Sequence, residues 1–334
     1  MSTIVNISAL AATSLDYAQT HIEEIFSEAL APGMGGIAGT PVKPLDYYCT
    51  TFNTFDEVVL TNVNVSAEVR PSTFGGFEPK AGEVAKIEPR VARVKPCKMD
   101  LLFTQAQIMA YWQTYYGLKK AKKIDPTTFP FEQFIMQKIA LKIQTDIRTK
   151  AYPNGVRNNA GTGALDIMDG LFKKTNDYVV SGLIPAGNIT IISAVTAANA
   201  VDQFEKLVEN IPAQHFYGGL VVLTTAEKKR KYEKDYRTKY GTTPYNAGFD
   251  KQEIEGSTVE FCVEPGFAPT GATAFDIGLV TTLGNIAWLY DDESAFTGFE
   301  VDYSKRDRSL AYMMDFQIGM DIVMPTEVWL GDVV

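Results

Sequence analysis

The loop Gly161-Thr162-Gly163 is the first place where residue type and spacing could do chemistry, since it resembles half of a phosphate-binding loop. Such loops cradle phosphate oxygens with backbone N–H groups, and their glycines let the chain come close. A third glycine, a Lys-Ser/Thr ending and a preceding strand are missing, so a plain loop is the better reading. Gly33 to Gly36 lacks the same context.

A second candidate runs from Ala226 to Tyr240, where Lys228, Lys229, Arg230, Lys231, Lys234, Arg237 and Lys239 alternate with tyrosines. Basic residues interleaved with aromatic rings suit nucleic acid. The competing reading is a solvated amphipathic helix. In it, Glu227–Lys231, Glu233–Arg237 and Asp235–Lys239 pair at i,i+4, and Tyr232, Tyr236 and Tyr240 form a packing stripe. Asp291-Asp292-Glu293 offers hard oxygens to a divalent cation, but its spacing fits no calcium loop, so an exposed acidic turn is expected. His215, after the helix-ending Pro212, reads as structural, and Cys262, in an apolar strand, as buried and inert.

Composition narrows the classes further. Only two histidines, His21 and His215, and three scattered cysteines, Cys49, Cys97 and Cys262, are present. They supply no dense metal set, no triad and no disulfide framework, and a reducing compartment fits best. The chain has 334 residues and a formal charge of −9, which argues against a global basic field for nucleic acid. With 46% apolar and 21% charged residues it is ordinary globular material, long enough for about two domains at roughly 150 residues each. No apolar run approaches the ~18 residues of a membrane helix. Met1 to Leu10 lacks the basic flank and apolar stretch of a secretory signal.

The surrounding elements are legible from periodicity. Ser14 to Leu30 reads as a helix with Ser14 as N-cap, followed by a Gly/Pro-rich arm from Pro32 to Pro44. Having no core of its own, this helix must pack on another surface, such as a neighbouring subunit. Asn62 to Arg70 alternates without a fault, Pro71 to Pro79 is a glycine-bearing tip, and a return strand runs through Ala85, Ile87 and Val91. A one-residue slip at Arg93-Val94 reads as a bulge, and Pro89 and Pro96 keep that strand off a sheet interior. A two-stranded ribbon of this kind is barely stable alone.

Helices are expected from Thr104 to Lys123 and from Pro130 to Ala151, the second striped by Phe131, Phe134, Ile135, Ile139, Ile143 and Ile147, with Lys138, Lys142, Gln144 and Arg148 outside the stripe. Then come a helix from Ala164 to Tyr178, a strand Asn188–Ser193, a helix Ala194–Asn210, a strand Gly219–Thr224 and the helix Ala226–Tyr240. Strands follow at Val259–Val263, Ile277–Thr281 and Ile286–Tyr290. A closing hairpin pairs Phe299–Tyr303 with Leu310–Val323 across Lys305–Arg308, and Val328–Leu330 ends the pattern.

This order of elements resembles the major capsid proteins of tailed phages, the Hong Kong 97 capsid fold. Three places carry the likeness: the ribbon from about Phe55 to Phe103, the helix Pro130–Ala151 with the turn Tyr152-Pro153-Asn154-Gly155, and the C-terminal hairpin. The resemblance implies an α+β fold divided into an N-terminal arm (1–54), an extended loop (55–103), a peripheral domain with a long spine helix (104–152 and 295–324) and an axial domain (153–294 and 325–334). The helix Thr104–Lys123 ahead of the spine departs from the family pattern. Inter-subunit contacts are then expected at Arg70, Phe74, Phe77, Lys80 and Arg90 of the ribbon and at Lys305, Arg306, Asp307 and Arg308 of the hairpin turn. Nothing in the sequence supports the Lys–Asn crosslinking of some family members.

By that likeness the chain would be a non-enzymatic shell protein without cofactors, assembling with itself as pentamers and hexamers into an icosahedral head. Its partners would be portal, scaffolding and head-completion or decoration proteins and, by non-specific contact, packaged double-stranded DNA. It would be made in the host cytoplasm, reside in the virion and touch no membrane. An encapsulin-like shell around a cargo enzyme is the alternative, and an α/β enzyme holding a nucleotide on Gly161–Gly163 is a third reading. Excising Leu60 to Lys95 should leave folded subunits that close no shells.

Overall fold

A computed structural model describes residues 10, 12–14, 16–17, 20, 42–65, 85–121, 131–216, 219–241, 253–267, 278–291 and 299–333, and side chains throughout these except 62–65, 85–88 and 333. The ribbon tip, the arm up to Val42 and the loop after Gly241 lie outside them.

Among the described residues, two five-stranded sheets and one ribbon make up the named strands. The first sheet joins β1 (Cys49–Asn53), β9 (Ile286–Asp291), β11 (Ser309–Ile322) and β10 (Phe299–Ser304) in that order. β4 (Lys95–Thr104) lies along the opposite edge of β11 from β10, because Ser309–Met314 pair with both. The second sheet runs β5 (Ile189–Ile192), β12 (Val328–Val333), β8 (Leu279–Thr282), β6 (Leu220–Thr224) and β7 (Val259–Val263). β2 (Glu57–Val65) and β3 (Ala85–Arg93) form the antiparallel ribbon in unbroken register from Glu57↔Arg93 to Val65↔Ala85.

The expected bulge is therefore a change of sheets. At Val94 the chain leaves β3 and enters β4, whose partner is β11, so the ribbon ends at Arg93 and residues 95–103 are not part of it. Pro89 and Pro96 are tolerated because β3 and β4 are each paired along one side only. β9 pairs with β11, so residues 286–291 share the hairpin's sheet.

The helix α1 (Gln105–Lys120) lies within the expected span, and α2 (Phe131–Asp146) follows the predicted stripe. Gln107 Oε1 accepts from the Thr104 N–H at 2.9 Å, which fixes the start of α1. Tyr115 and Trp112 meet Phe131 edge-on at 5.4 and 5.1 Å between ring centres. α2 does not stop at Ala151: it widens into a π-helical turn, Ile147–Ala151, and regains α geometry over Tyr152–Asn154. The described N-terminal helical residues dock on this same core. Leu10 is buried in it, Thr13 donates to Glu132 at 2.8 Å and Tyr312 donates to the buried Ser14 at 3.3 Å. Ser14 stands inside that helix rather than at its cap, since Ala12 and Thr13 are already helical, and the helix covers its own chain.

The other helices are α3 (Leu171–Val180), α4 (Ala200–Glu209) and α5 (Ala226–Tyr240). Two start later than periodicity suggests. Ala164–Asp166 is a single 3₁₀ turn that Asp166 closes by accepting from Gly163 N–H, and Asn199 Oδ1 holds Thr196 in a turn ahead of α4. Alternation divides the second sheet between two cores. Val221 and Leu223 face α2 and the first sheet, while Leu220 and Val222 face α4 and α5.

Candidate functional site

The sequence candidates for chemistry resolve into structural features. At Gly161–Gly163 a carboxylate takes the place an anion would need. Asp166 Oδ2 accepts from Gly163 N–H at 2.9 Å, and a Cβ on Gly161 would collide with that same side chain. No strand precedes the loop, which borders an open cavity of about 580 Å³ between β4 and α2. The Arg157 guanidinium there is occupied by Asn159 Oδ1 at 2.8 Å and by the carbonyls of Pro96 and Ile167 at 3.0 and 2.7 Å.

α5 is less solvated than a row of lysines suggests. Lys228, Lys229 and Asp235 are buried, and of the expected ion pairs Lys231 meets Glu227 at 2.8 Å. Asp235 instead accepts from the Val201 N–H at 2.9 Å, and Lys239 reaches Asp202 on α4. The tyrosine stripe does form, with ring centres 6.3 Å apart for Tyr232–Tyr236 and 4.6 Å for Tyr236–Tyr240. Asp291 is buried at the end of β9 rather than exposed in a turn, while Asp292 and Glu293 lie outside the described residues. Among the described residues no three His, Cys, Asp or Glu side chains are grouped to hold a metal. His215 stacks edge-on against Trp329 at 5.1 Å. All three cysteines are buried and free; burial raises each thiol, Cys97 to about 12, so none is a ready thiolate.

The assembly candidates fall into three groups. Arg70, Phe74, Phe77 and Lys80 lie outside the described residues. Arg90 is turned onto its own chain: its guanidinium donates to the Val323 carbonyl and covers the Tyr178 ring at 5.2 Å. Tyr178 in turn donates to Asp321, which Lys174 also meets at 3.1 Å, so the root of the ribbon is tied to α3 and β11. Lys305, Arg306, Asp307 and Arg308 form an exposed turn closed by Ser304 Oγ on Asp307 at 3.1 Å.

The root of the ribbon is held: Leu60, Ala92 and the neighbouring Val94 pack on Ala287 and Leu289 of β9. On the other face the cross-strand pair Val59–Val91 stays 56% and 44% exposed, with Phe55 beside the root at 72%. Excision from Leu60 to Lys95 would thus remove buried residues and the start of β4, whereas a cut between the paired Thr61 and Pro89 spares both.

One cluster escaped sequence reasoning. Arg148, expected outside the stripe of α2, is 2% exposed, and its Nη2 meets Glu264 Oε1 at 2.7 Å and the Lys43 carbonyl at 2.8 Å. Tyr48 donates to the same Glu264 oxygen at 2.6 Å. Burial raises the Glu264 carboxyl above the ordinary range, with Arg148 and Tyr48 pulling the other way. The partners come from segments more than 100 positions apart, so no local pattern marks them.

No protein-family model matches the sequence, and no curated protein matches it. Solved structures do resemble it in fold. The procapsid of satellite phage P4 including its size determination (Sid) protein aligns over 100% of this chain and 98% of that one, with TM-score 0.52 and 13% identity. The capsids of empty and native GTA particles align over 90% of this chain and 93% of theirs, each at TM-score 0.51, with 12% and 11% identity. At such identities the likeness speaks for fold alone, and it agrees with the mixed α and β architecture: this chain shares its fold with these procapsid and capsid structures.

Proposed function

We propose that the chain is the major capsid protein of a tailed double-stranded DNA phage, assembling as pentamers and hexamers into an icosahedral head. The observation that carries the reading is the ribbon: two strands with a buried root and an apolar outer pair that its own chain leaves uncovered. A two-stranded sheet without a core gains stability only against a second surface. Repeated around a shell, modest contacts of this kind close a lattice by symmetry.

On this reading the Hong Kong 97 parts take the following places. The ribbon is the extended loop, α2 is the spine helix, the first sheet with its helices is the peripheral domain, and the second sheet with α4 and α5 is the axial domain. Arg70, Phe74, Phe77 and Lys80 at the far part of the ribbon and the turn Lys305–Arg308 make contacts between subunits. Portal, scaffolding and head-completion or decoration proteins are partners, and DNA is touched without sequence preference, as suits an acidic wall. The protein works without catalysis, is made in the host cytoplasm and resides in the virion. Among the described residues no helix is long and apolar enough to cross a membrane.

Electron microscopy of the purified full-length protein tests the proposal, beside a variant in which residues 62–88 are replaced by an Asn-Gly turn joining Thr61 to Pro89. Closed particles from the full chain and folded, shell-less subunits from the variant are expected. Closed shells from the variant would remove the role given to the ribbon. Shells that form in cells around a protein cargo, without nucleic acid, would move the assignment to an encapsulin-like compartment.

A further inference from the structure

The Arg148 cluster sits where three parts of the molecule meet. Arg148 lies on the π-helical turn of α2, and Glu264 is the residue on which β7 leaves the second sheet. The loop after Glu264 is pressed onto the helix: a Cβ on Gly266 would collide with the Thr149 carbonyl, and Asn154 Nδ2 donates to the Gly266 carbonyl at 2.8 Å. Phe267 then stacks on Phe172 of α3 at 4.4 Å. This is the joint between the long helix and the second sheet.

The third part is the segment leading into β1. It supplies the Lys43 carbonyl to Arg148 and the Tyr48 hydroxyl to Glu264. Nearer the surface it adds a strap on β7, where Lys43 Nζ meets Glu260 at 2.8 Å and Tyr47 donates to the same carboxylate. Glu264 Oε2 is buried without a hydrogen-bond partner, so the carboxylate depends on what reaches its other oxygen.

We propose that the Arg148–Glu264 pair is a conformational clasp through which the segment 43–48, at the root of the N-terminal arm, controls the joint between α2 and the second sheet. Withdrawing the segment removes the Lys43 and Tyr48 contacts together and leaves a buried carboxylate held by Arg148 alone. The joint then opens more readily, and by linkage an opened joint releases the arm root. The inference concerns the subunit itself and stands apart from the shell assignment.

Hydrogen exchange of the full-length protein, read peptide by peptide, tests it. Tyr48→Phe keeps the ring and removes the hydroxyl. Exchange over 147–155 and 259–267 should rise together by about tenfold, the equivalent of one hydrogen bond's worth of opening, with β4 and β11 unchanged. An increase confined to 43–49 overturns the proposal. The discriminating step is a cycle with Arg148→Met/Glu264→Leu, which substitutes an apolar pair for the clasp. In that background Tyr48→Phe should no longer alter 259–267, whereas an effect of unchanged size overturns the proposal. If the apolar pair does not fold, Glu264→Gln closes the same cycle with retained shape, and full additivity with Tyr48→Phe overturns it equally.

Discussion

The ribbon and the Arg148 joint are opposite solutions to the same demand. Both link distant stretches of chain, yet the ribbon leaves its apolar pair in solvent while the joint hides a full ion pair from it. A surface left uncovered costs the monomer little and is available to another molecule. A buried charge pair gives the monomer little net stability, because desolvation offsets attraction, but it punishes any loss of one partner. Damage at the joint should therefore be felt by the subunit, and damage at the ribbon by the assembly.

Arg148→Met is expected to have the largest effect, lowering unfolding free energy in urea by about 3–5 kcal/mol, because Glu264 stays buried without its cation. Adding Glu264→Leu should restore most of that loss. A single variant as stable as the parent would break the contrast from the joint's side. Next, Leu60→Ala at the buried root should cost about 2–4 kcal/mol by the same measurement. A cost below about 1 kcal/mol would mean that the root, like the exposed Val59–Val91 face, is free of its own chain.

A smaller, pH-dependent effect distinguishes charge from shape at the joint. The folded-state carboxyl of Glu264 titrates above its unfolded value, so the folded chain holds that proton more tightly. This contribution is complete below the unfolded value near ~4.3 and is lost as pH rises through the raised folded value. Melting temperatures measured upward from pH 4 should show the parent's margin over Glu264→Gln shrinking; a growing margin would reverse the assignment. Smallest of all, Val59→Thr with Val91→Thr should change subunit stability by less than about 0.5 kcal/mol, since both side chains are largely exposed. The same pair should slow particle formation in light scattering, and unaltered assembly would separate the ribbon face from the shell contacts.

Elements set by local chemistry could be read directly. α5 begins at Ala226 because Thr225 Oγ1 accepts from Lys228 N–H, and it stops at Gly241, both visible in sequence. The stripe of α2 likewise predicted its buried face. β1 went unseen, because Cys49-Thr50-Thr51-Phe52-Asn53 has no clear alternation and its partner is a parallel strand from residue 286 onward. The starts of α3 and α4 were misplaced because Asp166 and Asn199 turn the chain with their own side chains. Arg148 was read as solvent-facing since helical spacing fixes a direction around the axis, not what a remote loop brings to meet it. The candidate surfaces were legible as ribbon and turn. The intrachain grip on Arg90, made with Val323, was not.

β11 adds a consequence for how such a chain is made. Its residues 309–318 pair with β4 and 317–322 with β9, and β9 in turn holds β1. The first sheet therefore cannot close until the ribosome has released the chain through Ile322. At about 5–20 residues per second, β4 waits on the order of tens of seconds with its backbone groups unpaired. Pairings of such long range also fold slowly once the chain is free. The nascent protein spends that interval with β4 as an open strand edge, exposed to mispairing before its own partner strand exists.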